Sequence, residues 1–135
     1  MATKRPLVYL AGPMTNRDGT LVEIHLARAL SWFLPLVRLR LPVFCPHLCG
    51  GFHSCWELVG HAEWLAYDHA ILKHCRAVVF LPGWEHSAGA QAEHEFALGH
   101  VLRRLYSWEE LQAWWLDETG EDIGSCPAGV YRGEE

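Results

Sequence analysis

The chain has 135 residues, half of them apolar, and a formal net charge of −5 at pH 7. This length suits one domain with a single core, and the apolar content excludes a disordered tail. Because no basic stripe accompanies the negative charge, long nucleic acid is not an expected partner, whereas a few backbone N–H groups and one Arg suffice for a small anion.

Membrane insertion and disulfide bonding are not expected either. The longest apolar run, residues 30–37, is broken by Pro35 and is too short to span a bilayer. The basic start of the chain is followed by only a short apolar run before polar residues return, whereas a signal peptide has a longer apolar segment. Five cysteines, an odd number in a chain rich in helix signals, favour reduced thiols over a disulfide framework. A cytoplasmic location is therefore the default expectation.

In chain order, the first predicted element is a buried strand at residues 7–11, an apolar run stopped by a Gly-Pro pair. Thr20 and Glu23 form a capping-box pattern, which predicts that a helix starts there. Pro35 lies within the helical pattern and is expected to kink or end this helix near Leu34, because proline lacks the N–H that a helix interior needs.

The middle of the chain is less regular. Residues 42–45 predict a short second strand, and residues 46–60 predict a long loop, with a helical turn capped by Ser54 and Glu57. Long irregular loops in compact domains are often functional.

Strands and helices alternate in the rest of the chain, which predicts a parallel sheet covered by helices and an α/β fold. Ligands bind such sheets beyond the carboxyl ends of the strands, which singles out residues 12–17, 46–60 and 82–90. We expect one domain at 1–116 and an irregular tail at 117–135. The predicted elements are a helix at 61–75, a strand at 77–81, a helix at 87–103, a short strand at 105–106 and a helix from the capping box of Ser107 and Glu110 through Trp115.

Two helices carry carboxylates that invite a functional interpretation. Asp68 lies in the middle of the apolar face of the predicted helix 61–75, where an ionised carboxylate is costly unless it is paired. The predicted helix 87–103 carries Glu93 and Glu95, and periodicity does not decide which of the two is functional. Two carboxyl groups about 5–5.5 Å apart perform the retaining glycosidase reaction, one as nucleophile and one as acid. A structural Asp and ordinary surface glutamates are the alternative interpretation.

Three stretches of the chain carry a family resemblance. The first is residues 8–14, which read VYLAGPM; the second runs from Asp68 to residues 77–81; the third is residues 83–93. In this order and spacing, over residues 7–106, the chain resembles the nucleoside 2-deoxyribosyltransferase-like superfamily. Within it, the chain is similar to a phage and bacterial branch related to deoxynucleoside 5′-monophosphate N-glycosidases.

The resemblance implies a fold and a catalytic group. The fold is a flavodoxin/Rossmann-like parallel sheet flanked by helices. Glu93 falls on the position of the nucleophile that attacks C1′ of the sugar, and Asp68 on that of the carboxyl that protonates or orients the base. Tyr9 falls on the phenol that holds the nucleophile. No cofactor and no catalytic metal are expected.

The resemblance also implies a nucleotide as the small-molecule substrate and a homodimer or larger homo-oligomer that shares its active site. Ser87 and Gly89 fall in the loop that binds the 5′-phosphate, and the turn that begins with Gly12, Pro13 and Met14 lines the sugar and phosphate. The chain departs from the family pattern at Arg76, where the family usually has Asp, and after the nucleophile, where His94 and Glu95 replace a small or apolar pair.

Aromatic and histidine side chains are candidates for contacting the base. Trp84, Trp56 and Trp64 are candidates for stacking on it. With 7 Trp in so short a chain, most must instead pack in the core. His47 and His53 are further candidates for base contact, against the alternative of solvent exposure.

Four functions remain in competition. The leading one is hydrolysis of the N-glycosidic bond of a (deoxy)nucleoside 5′-monophosphate, and the nearest rival is deoxyribosyl transfer to a second base. A non-catalytic nucleotide-binding module is the third. The fourth is a zinc site, for which the spacing fits no strong pattern; its candidate ligands are Cys45, His47, Cys49, His53 and Cys55.

Overall fold

The computed structural model of the chain describes residues 5–14, 22–51 and 59–133. A sheet of four parallel strands forms its centre, in the order β2-β1-β3-β4. The prediction of an α/β fold with a parallel sheet flanked by helices is confirmed. The strands are β1 (Val8–Ala11), β2 (Val43–Phe44), β3 (Ala77–Phe80) and β4 (Arg103–Leu105).

Helices cover both faces of the sheet. They are α1 (Glu23–Arg38), α2 (His61–Leu72), α3 (Ala88–Gly99) and α4 (Trp108–Thr119). One face, with Val8 and Leu10 of β1, packs against α1 and α4. The opposite face, with Tyr9 of β1 and Val78 and Phe80 of β3, packs against α2 and α3. Strands β1 and β3 are fully buried, so their sequences are continuous apolar runs rather than alternating patterns.

Helix α1 corrects the predictions about its two ends. It begins at Glu23 without a side-chain cap, and Thr20 lies outside the described residues. It also continues through Pro35 to Arg38. The carbonyl groups of Pro35 and Leu36 accept hydrogen bonds from residues 39 and 41, at 3.0 Å each. Leu36 is completely buried in the core, so its packing offsets the hydrogen bond that proline cannot make.

Other boundaries also differ from the predictions. Pro46–Gly51 is a short 3₁₀ helix rather than loop, and the turn expected at Ser54 and Glu57 lies outside the described residues. Helix α2 ends three residues early because the Arg76 N–H already pairs with a carbonyl just before β1. Helix α3 ends at Gly99, since the following residues enter β4 beside β3.

Helix α4 begins as predicted and ends later. The Ser107 hydroxyl accepts a hydrogen bond from the Glu110 N–H at 3.1 Å, which confirms the cap. The helix then runs past Trp115 to Thr119, where Gly120 adopts the left-handed conformation that glycine favours. No helix in the described part of the chain is long and apolar enough to cross a membrane.

Residues 120–133 contain no helix or strand, yet they complete the core on the α1 and α4 side. Ile123 and Val130 are buried there. Three tryptophan indole N–H groups donate to this segment: Trp32 to the Tyr131 carbonyl at 2.7 Å, Trp108 to the Gly124 carbonyl at 2.9 Å, and Trp115 to Glu121 Oε1 at 3.2 Å. The segment is therefore a packed part of the domain.

Candidate active site

The sheet order creates a crevice between β1 and β3. The chain leaves β1 towards β2 on one side and later passes from β3 to β4 on the other, which makes the β1–β3 boundary the switch point where α/β sheets bind ligands. The turns after the two strands approach closely. A Cβ at Gly12 would lie 3.0 Å from the Leu81 Cβ, and Gly83, with φ +93°, lies against Pro13. Glycine at both positions permits this approach.

Glu93 and Tyr9 meet inside the protein, beneath α3. Glu93 is 5% exposed and Tyr9 is fully buried. The Tyr9 hydroxyl donates a hydrogen bond to Glu93 Oε2. Ala90 and Ala97 are buried on the same face of α3, and their small side chains let the helix lie close to the sheet. Glu95 is exposed, so the two glutamates that periodicity treats alike differ in burial.

Asp68 of α2 is the second buried carboxyl, at 7% exposed. Burial raises the pKa of Asp68 to about 7. Burial also raises the pKa of Glu93 to about 8; the hydrogen bond from Tyr9 opposes this rise and the charge of Asp68 adds to it. The charges of Asp68 and Glu93 raise the pKa of Tyr9, and the charge of Asp68 raises that of Glu93, so the three predicted catalytic residues form one electrostatic unit.

Two buried carboxyl groups and a phenol can serve acid and nucleophilic catalysis. The Tyr9 hydroxyl donates to Glu93, and a hydrogen bond to the charged form of a carboxyl favours that form. This bond therefore stabilises the arrangement in which Glu93 is charged and Asp68 holds the proton. Burial opposes it, and the pKa of Glu93, about 8, stays above that of Asp68, about 7.

The N-terminus of α3 lies beside this unit and exposes backbone donors. The Ser87 hydroxyl caps the helix by accepting from the Ala90 N–H at 3.3 Å. Within the described residues, the N–H groups of Ala88 and Gly89 have no acceptor. A side chain at Gly89 would meet no atom closer than 4.0 Å. A helix N-terminus with free N–H groups and open space attracts an anion.

His47 contacts the turn after β1. Its ring is 1% exposed, Nε2 lies 2.7 Å from the Pro13 carbonyl oxygen, and Nδ1 lies 3.7 Å from Cys45 Sγ. Burial lowers the pKa of His47 to about 4. The side chain is therefore neutral at physiological pH, and it holds the turn formed by Gly12, Pro13 and Met14.

Trp84 belongs to an aromatic cluster made of Phe80, Trp84, His94 and Tyr106. Its ring stacks on His94 with centroids 4.4 Å apart, and His94 Nε2 lies 2.8 Å from the Tyr106 hydroxyl. Trp84 and Tyr106 also line an open cleft of about 520 Å³ at the carboxyl ends of β3 and β4. Sequence analysis did not single out Tyr106, which reaches this cluster through its contact with His94, the residue after Glu93.

The remaining candidates are placed elsewhere or lie outside the described residues. Trp64 packs edge-on against Tyr67, with centroids 6.0 Å apart. Trp56, His53 and Cys55 are outside the described residues, as is the side chain of Cys49. In the part that is described, no group of three or more His, Cys, Asp or Glu side chains is arranged to hold a metal ion.

Arg76, the other departure from the family pattern, is exposed and faces α4. It forms an ion pair with Glu118 at 3.4 Å. Exposed pairs of this kind contribute about 0–1 kcal/mol to stability.

Fold and site together define a parallel α/β protein with a buried pair of carboxyl groups and a phenol beside its switch point. Residues 53–106 match the family described as Domain of unknown function (DUF4406). The matched segment includes Asp68 and Glu93 but not Tyr9. Comparisons with curated proteins and with solved structures gave no match.

Proposed function

We propose that the protein is an N-glycosidase that hydrolyses the N-glycosidic bond of a (deoxy)nucleoside 5′-monophosphate through a glycosyl-enzyme on Glu93. The observation that carries the proposal is the hydrogen bond from the Tyr9 hydroxyl to Glu93, buried beside Asp68. A carboxylate that is desolvated, held by one donor and coupled to a second carboxyl is a suitable nucleophile.

The reaction follows the retaining glycosidase scheme. A Glu93 carboxylate oxygen attacks C1′ of the sugar, and the electron pair of the C1′–N bond leaves with the base. Asp68, whose pKa is raised to about 7, gives its proton to the departing nitrogen. Water then attacks C1′ of the ester, Asp68 takes a proton from it, and the C1′–O bond to Glu93 breaks. Both carboxyl groups return to their starting states.

Tyr9 prepares the nucleophile in this scheme. Burial alone disfavours a charge on Glu93, and the phenol offsets part of that cost by donating to the carboxylate. The pKa of Tyr9 is itself raised well above its usual value by burial and by Glu93, so the phenol keeps the proton that it donates. Tyr9 thereby orients Oε2 and leaves the other oxygen available for attack.

A 5′-phosphate suits the N-terminus of α3. The N–H groups of Ala88 and Gly89 and the helix dipole attract an anion in spite of the net charge of −5. The resemblance to the nucleoside 2-deoxyribosyltransferase-like superfamily implies the same role for this loop and a homo-oligomer with shared active sites. The odd number of cysteines favours reduced thiols and hence the cytoplasm, where free nucleotides are expected.

The second candidate is deoxyribosyl transfer, and the burial of Glu93 favours it. A nucleophile that is only 5% exposed is poorly accessible to water. If a second base enters before water, its nitrogen attacks C1′ and the same three residues, Tyr9, Asp68 and Glu93, complete a transfer. The two candidates therefore share every catalytic residue and differ only in the acceptor.

The test is chromatography of products from deoxynucleoside 5′-monophosphates, CMP and free nucleosides, with and without a second base. Wild type is compared with Glu93→Gln and with Glu95→Gln, the matched exposed neighbour. We expect free base and sugar phosphate from wild type and Glu95→Gln, and none from Glu93→Gln. A new nucleotide formed only with added base favours transfer. Tight binding without any cleavage would replace the proposal by a nucleotide-binding module.

A further inference from the structure

His47 is the fully buried histidine of the described residues, and both its ring nitrogens have partners. The Pro13 carbonyl accepts hydrogen bonds and cannot donate, so Nε2 carries the ring proton. In the neutral ring Nδ1 is then an acceptor, which fits the Cys45 thiol as its donor at 3.7 Å. The two contacts select one tautomer of His47.

The turn that His47 holds is constrained from three sides. A Cβ at Gly12 would lie 3.0 Å from Leu81, and Pro13 packs over Gly83. His47 supplies the third constraint by fixing the direction of the Pro13 carbonyl at 2.7 Å. Packing fixes where the turn lies, whereas a hydrogen bond to a carbonyl fixes how its peptide plane is rotated.

Fixing the Pro13 carbonyl also fixes the next N–H. The peptide bond between Pro13 and Met14 is trans, and in a trans peptide the C=O and the following N–H point in opposite directions. The Met14 N–H therefore points away from His47. Within the described residues this N–H has no acceptor.

We propose that His47 is a positioning residue that aims the Met14 backbone N–H at an oxygen acceptor of the substrate, a sugar hydroxyl or a phosphate oxygen. The inference rests on the proposed function and adds a residue that acts through the β1 turn without touching the substrate. It replaces the sequence-based hypothesis that His47 contacts the base. The resulting binding element is independent of the base, because sugar and phosphate are common to all nucleotides.

The test compares His47→Gln with His47→Leu. The Gln amide reaches the position of Nε2 and donates to Pro13, whereas Leu fills the space without a donor. We expect KM to rise about tenfold in His47→Leu, as for the loss of one hydrogen bond, with kcat affected less. The rise should be equal for every base, and His47→Gln should return KM to within about threefold of wild type.

Three results overturn the assignment. A KM effect that depends on the base indicates direct base contact. A lower Tm with unchanged KM in His47→Leu indicates a structural role only. A ¹⁵N NMR spectrum in which His47 carries its proton on Nδ1 contradicts the tautomer.

The NMR arm also separates this inference from the proposed function. If wild type cleaves no nucleotide, the Met14 amide is followed during titration with a deoxynucleoside 5′-monophosphate, in wild type and in His47→Leu. A shift seen in wild type and lost in His47→Leu supports the positioning role without catalysis, and equal behaviour of the two proteins refutes it.

Discussion

Replacing Tyr9 with Phe removes one hydroxyl from the centre of the protein and leaves the ring in place. Tyr9 is fully buried and Glu93 is 5% exposed, so solvent does not screen their hydrogen bond. A hydrogen bond to a charged group contributes about 1.5–3 kcal/mol. Without it the pKa of Glu93, already raised to about 8, rises by about 1–2 further units.

The assay is kcat for nucleotide cleavage between about pH 6 and pH 10. Because the nucleophile is ionised Glu93 and the acid is protonated Asp68, the profile is bell-shaped, with a rising limb from Glu93 and a falling limb from Asp68. In Tyr9→Phe the rising limb moves to higher pH and the maximum falls. At neutral pH we expect a loss of about 10- to 150-fold. Tyr131→Phe is the matched control, because Tyr131 packs on the α1 and α4 side of the core, on the opposite face of the sheet from Tyr9. An unmoved rising limb, or an equal loss in Tyr131→Phe, would refute the reasoning.

Two further predictions concern the anion site and stability. Ser87→Ala removes the cap of α3, so it should lower the free energy of unfolding by about 1 kcal/mol and raise KM for 5′-monophosphates. Ser107→Ala removes the equivalent cap of α4, so it should lower the free energy of unfolding by a similar amount and leave KM unchanged. Urea melts measure the first quantity and steady-state kinetics the second. Burial raises the Glu93 pKa from 4.5 to about 8, so between these pH values the folded protein keeps a proton that the unfolded chain has lost. The free energy of unfolding therefore falls as pH rises from 4.5 through about 8, by at most about 5 kcal/mol. Glu93→Gln should flatten this dependence in urea melts, and an unchanged pH slope would contradict it.

The fold followed from local signals because buried parallel strands are short apolar runs that turns interrupt. Residues 77–81 illustrate this, since an apolar segment that ends at Pro82 predicts a buried strand without any tertiary information. Pro35 shows the limit of the same approach. Its local rule predicts the end of a helix, but the burial of Leu36 one residue later outweighs that rule.

The site was harder to predict from the sequence, because contacts between residues far apart in the chain define it. Helical periodicity does not distinguish Glu93 from Glu95. Only Glu93 is hydrogen-bonded to Tyr9, which lies 84 residues away in the sequence. His47 likewise lay in a stretch without periodicity, and its role depends on a carbonyl 34 residues earlier. The resemblance supplied residue roles, whereas burial and hydrogen bonding supplied the physical reasons for them.

The hydrogen bonds that tie residues 120–133 to the core also bear on how the chain folds during synthesis. The Trp32 indole finds its acceptor at Tyr131, 99 residues further along the chain. While the ribosome is still making the intervening segment, the apolar face of α1 has neither this acceptor nor Val130 to cover it. Late closure of this layer exposes apolar surface in the nascent chain, where chaperones and aggregation compete with folding.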